Sequence, residues 1–229
     1  MDLQLDVYHP PAGTEKKMAV IHIHGGGFTQ GSKNGVAGSS RAFAGIGYVS
    51  IASQYRLAGQ GKWPAQIEDV KAAIRWTRAN ASRLNIDADK IAIAGYSAGG
   101  LMALVAAATG ATPSLFPDGT PRATIDAASA ANTISPAFAP TIFLHGLADT
   151  TIRPESSLDF FQKLRAAGVK VDLHLFQGAP HAFETNNPDA ALASAQVSSL
   201  FFDRLILNPK EYPPFGGGRG GGGNRGQRQ

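Results

Sequence analysis

The sequence predicts an α/β fold, with a mostly parallel central sheet covered by helices on both faces. Three observations carry that expectation. Short β-branched runs alternate with helix-length segments along most of the chain, the pattern of strands buried on both sides. In the segment Pro64 to Leu84, Ile67, Val70, Ala73, Ile74 and Thr77 recur at helical spacing, with Pro64 suited to a first turn. A glycine-flanked serine, Gly95-Tyr96-Ser97-Ala98-Gly99, falls between a strand-like run and a helix-like run.

Taken in order, strands are expected at Leu3 to Tyr8, Met18 to His24, Tyr48 to Ser53, Lys90 to Ala94, Thr141 to His145 and Val169 to Phe176. Helices are expected at Gly38 to Ile46, Pro64 to Leu84, Ala98 to Thr109, Pro154 to Ala167 and Asp189 to Leu207. Residues 110 to 140 fit the alternation least. Thr124 to Ala130 reads as a further strand, but it is Ala-rich and flanked by Pro113, Pro117, Pro121 and Pro136. A chain of 229 residues is within the range of one α/β domain. That domain is expected to span residues 1–212. From Pro213 to Gln229 the composition shifts to Gly, Arg, Asn and Gln with almost nothing apolar to bury, so this Gly/Arg-rich tail is expected to be disordered.

Composition narrows the function classes. The net charge of +4 owes three charges to Arg219, Arg225 and Arg228 in the tail, so the body is near neutral and offers no electrostatic footprint for nucleic acid or a membrane surface. No unbroken apolar run is long enough to span a bilayer, and Met1 to Tyr8 has neither the basic start nor the apolar centre of a secretory signal; a soluble protein is expected, its compartment open. The absence of cysteine removes disulfides, thiolate metal sites and a cysteine nucleophile. His22 and His24 form a His-x-His pair, but no acidic or histidine cluster at ligand spacing completes a metal site, so neither metal nor cofactor is expected.

The chemistry rests on order and placement. Ile91 to Ala94 precedes the Ser97 pentapeptide as a buried-strand run, and Leu101 to Val105 follows as a helix-like run, the setting of a nucleophile elbow. A serine hydroxyl needs a base to take its proton, and the base needs an acid to hold its tautomer. Asp149 follows Thr141 to His145, and His181 follows Leu173 to Phe176, each just beyond a strand. Asp126 and Asp172 are weaker acid candidates, the first in the irregular segment and the second inside a strand. His145 and His174 lie within strands, where a structural imidazole is the simpler reading, and His9 and His22 precede the serine. His24-Gly25-Gly26-Gly27 follows the buried run Ala19 to Ile23, and its glycines let backbone amides converge on one point; the amide of Ala98 is a further donor for a developing oxyanion.

These residues resemble the esterase/lipase group related to hormone-sensitive lipase, with its feruloyl-esterase-like and acetyl-xylan-esterase-like branch. The likeness runs through Leu5 to Tyr8, His24 to Phe28, Tyr55-Arg56-Leu57, Trp63 to Trp76, Asn85-Ile86-Asp87, Gly95 to Gly100, His145-Gly146 with Asp149, and His181-Ala182-Phe183. It implies the α/β-hydrolase fold, a Ser97, Asp149 and His181 triad, oxyanion donors at Gly26 and Gly27, and cofactor-free hydrolysis of short-chain acyl or aryl esters on small molecules or polysaccharides. The same triad also serves amide hydrolysis. Tyr96 stands where the lipase-related subgroup commonly has Asp, which moves the likeness toward the polysaccharide-esterase branch. The short span from Ser97 to Asp149 leaves room for at most a minimal cap. Phe28, Tyr96, Trp63 and Phe183 are expected as walls of a substrate cleft.

Overall fold

A computed structural model describes residues 3–109 and 134–209 of the chain. The possible strand Thr124 to Ala130, the question of a cap and the Gly/Arg tail all concern residues outside this range. Six strands are present among the described residues: β1 (Leu5–Tyr8), β2 (Ala19–Ile23), β3 (Val49–Ser53), β4 (Ile91–Gly95), β5 (Thr141–Gly146) and β6 (Val171–Phe176). The helices are α1 (Ala37–Gly45), α2 (Ala65–Ala79), α3 (Ala81–Leu84), α4 (Ala98–Thr109), α5 (Pro154–Ala166) and α6 (Pro188–Phe202). A 3-10 turn at Lys33–Val36 precedes α1, and a π turn at Asp203–Leu207 continues α6.

The strands pair as β1-β3-β2-β4 and, separately, β5-β6. Every pairing is parallel except β1 with β3, which is antiparallel at the edge. β2 and β3 are buried at every position, which is why they read as continuous runs instead of alternating ones. Alternation survives instead as a division of labour. Ala19, Ile21 and Ile23 of β2 join Ile67, Val70 and Ile74 of α2 and Met102 and Val105 of α4 in one core cluster. Met18 and Val20 join Phe43 of α1 and Ala195, Phe201 and Phe202 of α6 in another. Helices therefore cover both faces, as expected.

Local chemistry explains the ends. The long segment after Pro64 breaks at Asn80, whose side-chain amide donates to the Trp76 carbonyl at 2.8 Å and diverts the chain into the single turn α3. Asn85, left-handed with φ of 57°, then closes α3. Asn187 caps α6 by accepting the amides of Asp189 and Ala190, with Pro188 at the first helical position. The stretch Pro188–Leu207 is long and apolar enough to cross a membrane by length and composition alone, although Asp189, Asp203 and Arg204 interrupt its apolar run. Its residues Ala191, Ser194, Ala195, Ser198, Phe201 and Phe202 are buried, and the Ala195, Phe201 and Phe202 side chains belong to the core beside Phe43 and Tyr48.

Candidate active site

β4 delivers Ser97 to the end of the sheet and α4 begins at the next residue. Ser97 has φ of 54°, the strained left-handed region in which a non-glycine residue needs surrounding structure to hold it. The hold is steric. The Tyr96 amide donates to the Ile23 carbonyl at 3.1 Å, carrying the β2–β4 pairing into the turn. A Cβ at Gly99 would lie 2.1 Å from that same Ile23 oxygen, and one at Gly25 would lie 3.0 Å from the Ser97 Cβ. Only glycine permits these approaches, and they set the loop after β2 directly against the serine.

That loop is unusual in its backbone. Gly26, Gly27 and Phe28 have φ of 113°, 59° and 65° in succession. The Gly26 carbonyl accepts the amides of Thr29 and Gln30, each at 3.1 Å. The amides of Gly26, Gly27 and Ala98 donate to no partner among the described residues; for Ala98 this is the ordinary state of a first helical residue. His24 anchors the loop from below. Its ring stacks on Tyr55 at 4.2 Å, and its Nδ1 donates to the Gly25 carbonyl at 2.7 Å. Burial lowers the His24 pKa, opposed by that bond, so the imidazole is neutral with its proton on Nδ1. The Tyr55 hydroxyl donates to the carbonyl of His24, and burial pushes its pKa up to about 12.

Asp149 and His181, the expected acid and base, meet beyond β5 and β6. Asp149 Oδ2 accepts from His181 Nδ1 at 2.8 Å, while Oδ1 accepts the amides of Thr151 at 2.8 Å and Ile152 at 2.9 Å. Burial alone would raise the Asp149 pKa, but the Ile152 amide, His181 and the Thr151 amide outweigh it and hold the carboxyl below its usual range. With Nδ1 committed to the carboxylate, His181 Nε2 is the nitrogen left to take a proton. The amide of Ala148 donates to the Ala179 carbonyl at 3.0 Å and ties the Asp149 loop to the His181 loop.

Sequence reasoning missed three neighbours. His145 contacts the same Asp149 oxygen, with Nε2 3.2 Å from Oδ2. Glu184, in the turn after His181, has a buried Oε2 without a hydrogen-bond partner; burial raises its pKa, against its own backbone amide and the pull of His181 and His145. Tyr96 is the third and a correction: expected as a cleft wall, it is 8% exposed, packs with Val36 and Ala52, and places its hydroxyl 3.0 Å from His22 Nδ1. A polar residue one position before the serine carries no signal of which way its side chain turns. Of the other expected walls, Phe28 meets Trp63 edge to face at 6.2 Å and Phe183 packs on Phe176 at 4.8 Å, all three partly buried. Among the described residues no group of three or more His, Asp or Glu side chains is arranged to hold a metal ion.

Known proteins extend this picture. A family model described as BD-FAE matches residues 5–121, just over half of the chain, and one described as the prolyl oligopeptidase family matches residues 118–206. Carboxylesterase NlhH of Mycobacterium tuberculosis is 38% identical over 120 residues, covering 50% of this chain and 38% of its own length. Esterase LipC of the same organism is 28% identical over 240 residues, covering 84% of this chain and 59% of itself. The chain thus spans less than two thirds of either relative. Among solved structures, the propionate-bound thermophilic esterase Est2 of Thermogutta terrifontis superposes with a TM-score of 0.77 at 25% identity, over 92% of this chain and 93% of that one. On this sequence match and this shared architecture, the chain belongs to the BD-FAE family and is an α/β-hydrolase related to the hormone-sensitive-lipase group.

Proposed function

We propose that the chain is a serine carboxylic-ester hydrolase, with Ser97 as nucleophile, His181 as general base and acid, and Asp149 as the acid that orients His181. The observation that carries this reading is the 2.8 Å bond from His181 Nδ1 to a buried, fully hydrogen-bonded Asp149, in a fold that also holds Ser97 in a strained elbow. In acylation the Ser97 oxygen bonds to the ester carbonyl carbon as its proton passes to His181 Nε2. The carbonyl oxygen becomes an oxyanion, facing the amides of Gly26, Gly27 and Ala98. Collapse breaks the bond to the alcohol oxygen, which leaves with the proton from His181. Water then repeats the sequence on the acyl-enzyme, releasing the carboxylic acid and free Ser97. No step calls for a metal or an organic cofactor.

The substrates proposed are short-chain acyl or aryl esters, free or projecting from a larger molecule such as a polysaccharide. The esterase names of NlhH and LipC and the propionate in Est2 support the ester class. The match of residues 118–206 to the prolyl oligopeptidase family favours a second reading, hydrolysis of amides by the same triad. Turnover of p-nitrophenyl acetate against N-formylkynurenine and a peptide p-nitroanilide separates the two. Ser97→Ala is expected to lower ester turnover by about 10⁴-fold or more with the fold intact. Retention of wild-type activity by that variant would end the nucleophile assignment.

A further inference from the structure

β5 carries a second imidazole to the acid, and its bonds determine where its protons are. His145 is 9% exposed, the penultimate residue of β5, and four positions ahead of Asp149. Its Nε2 lies 3.0 Å from the Ile152 carbonyl and 3.2 Å from Asp149 Oδ2. Both are acceptors only, since a carbonyl oxygen has no proton to give and Asp149 is held in its ionised form, so Nε2 bears the hydrogen. In the neutral ring His145 Nδ1 is then an acceptor, and the Ser157 hydroxyl of α5, 2.7 Å away, donates to it. One tautomer satisfies the whole set.

Asp149 accepts three hydrogen bonds, from the Thr151 and Ile152 amides on Oδ1 and from His181 on Oδ2, and His145 Nε2, whose hydrogen goes to the Ile152 carbonyl, lies 3.2 Å from that same Oδ2. Ile152 is tied twice, giving its amide to Asp149 and its carbonyl to His145. His145 therefore ties the 149–152 turn whose amide holds the carboxylate, and its ring lies beside the oxygen that His181 bonds. We infer that His145, locked by Ser157, is a positioning residue that acts through Asp149: it fixes the carboxylate oxygen against which the His181 ring is aligned. This rests on the reading of Asp149 and His181 as orienting acid and base. A role confined to filling space in the core would need the ring but not its nitrogens, and that difference is measurable.

Three full-length variants separate the two. His145→Phe keeps a ring and removes both nitrogens. His145→Gln keeps an N–H near the Nε2 position. Ser157→Ala removes the donor to Nδ1. With p-nitrophenyl acetate, His145→Phe is expected to lower kcat by about tenfold to a hundredfold with KM within about twofold, because a small misalignment of the base costs rate more than binding. His145→Gln is expected to recover most of that loss, and Ser157→Ala to show a smaller fall of about threefold. A second readout does not depend on turnover. The downfield proton resonance of His181 Nδ1–H, bonded to Asp149, should be sharp in the wild type, broadened or lost in His145→Phe, and restored in His145→Gln. Equal kcat losses in the Phe and Gln variants, or an unchanged His181 resonance in His145→Phe, would overturn the inference. Should His145→Phe fail to fold, the Gln and Ser157→Ala variants decide it by the same resonance. A wild-type protein inactive on every ester would refute the ester reading while the resonance still decides the role of His145.

Discussion

The serine side and the acid–base side of the site are built by different means. Around Ser97 the strands β2, β3 and β4 and the turn beyond them are fixed by backbone contact: pairings buried at every position of β2 and β3, and glycines where any Cβ would strike a neighbouring carbonyl. Around Asp149 the pair β5 and β6 is less deeply buried, and the loops are fixed by hydrogen bonds converging on one carboxylate. Steric fit recurs on that side at Gly146, where a Cβ would lie 2.1 Å from the Ala179 carbonyl, but it joins loops and leaves the functional side chains to polar contacts. A nucleophile must be held in one place under strain. An acid and base must keep a proton arrangement. On the proposed roles, each side uses the force suited to its task.

The contrast predicts that the acid–base side fails in chemistry before it fails in folding. Asp149→Asn keeps an oxygen able to accept the Thr151 and Ile152 amides, so the turn should remain folded. Its amide group, however, presents hydrogens to His181 Nδ1 and favours the wrong tautomer. Esterase turnover should fall by about 10⁴-fold, as when an orienting Asp is replaced by Asn in other serine hydrolases, with thermal midpoint changed by only a few degrees. A variant that unfolds at the growth temperature, or one that keeps a tenth of wild-type kcat, would break the comparison.

On the serine side the order should reverse. Gly99→Ala places a methyl 2.1 Å from the Ile23 oxygen, a backbone atom that no rotamer can move aside. The strand end and the elbow must separate, at about 3 kcal/mol or more. For a domain of this size that is about 6–12 °C in thermal midpoint. Differential scanning calorimetry of Gly99→Ala beside Asp149→Asn tests both halves of the argument. A larger loss in the Asn variant would invert it.

This division also explains what could be read from the chain in advance. The elbow, the glycine run and the strands around them were legible because steric demands leave few residue choices: only glycine fits positions 25 and 99, and only apolar runs fit β2 and β3. The positions of Asp149 and His181 were legible from order along the chain. Their partners were not. His145 looks like any strand histidine until β5 and the 149–152 turn are folded together, and Glu184 shows its buried, unpartnered oxygen only in three dimensions. Tyr96 fails for a related reason, since its alternatives, cleft and core, are both compatible with an aromatic ring carrying a hydroxyl. The break at Asn80 was hidden because the apolar spacing continues through it to Leu84.

The smallest expected effect concerns acid sensitivity, and it assigns different pH windows to the two sides. His22 is wholly buried beneath the serine side, bonded to the Tyr96 hydroxyl, and burial lowers its pKa from 6.5 to about 3. The folded protein keeps it neutral, whereas the unfolded chain takes up a proton below the ordinary histidine value. Between those two values the unfolded state binds more protons, so the stability His22 allows is complete above about pH 6.5 and is lost as pH falls toward 3, by about 1.4 kcal/mol per unit. The depressed Asp149 pKa has the same sign but acts only below the usual carboxylate range, so mildly acid pH should weaken the serine side first. His22→Leu combined with Tyr96→Phe removes the titrating ring and the hydroxyl that would otherwise lose its partner. Urea unfolding of this double variant should show a shallower decline in stability between about pH 6 and pH 5 than the wild type, by close to one proton per molecule. Parallel declines in the two proteins would show that the acid-labile group lies elsewhere, and would remove the proposed order in which the two sides yield.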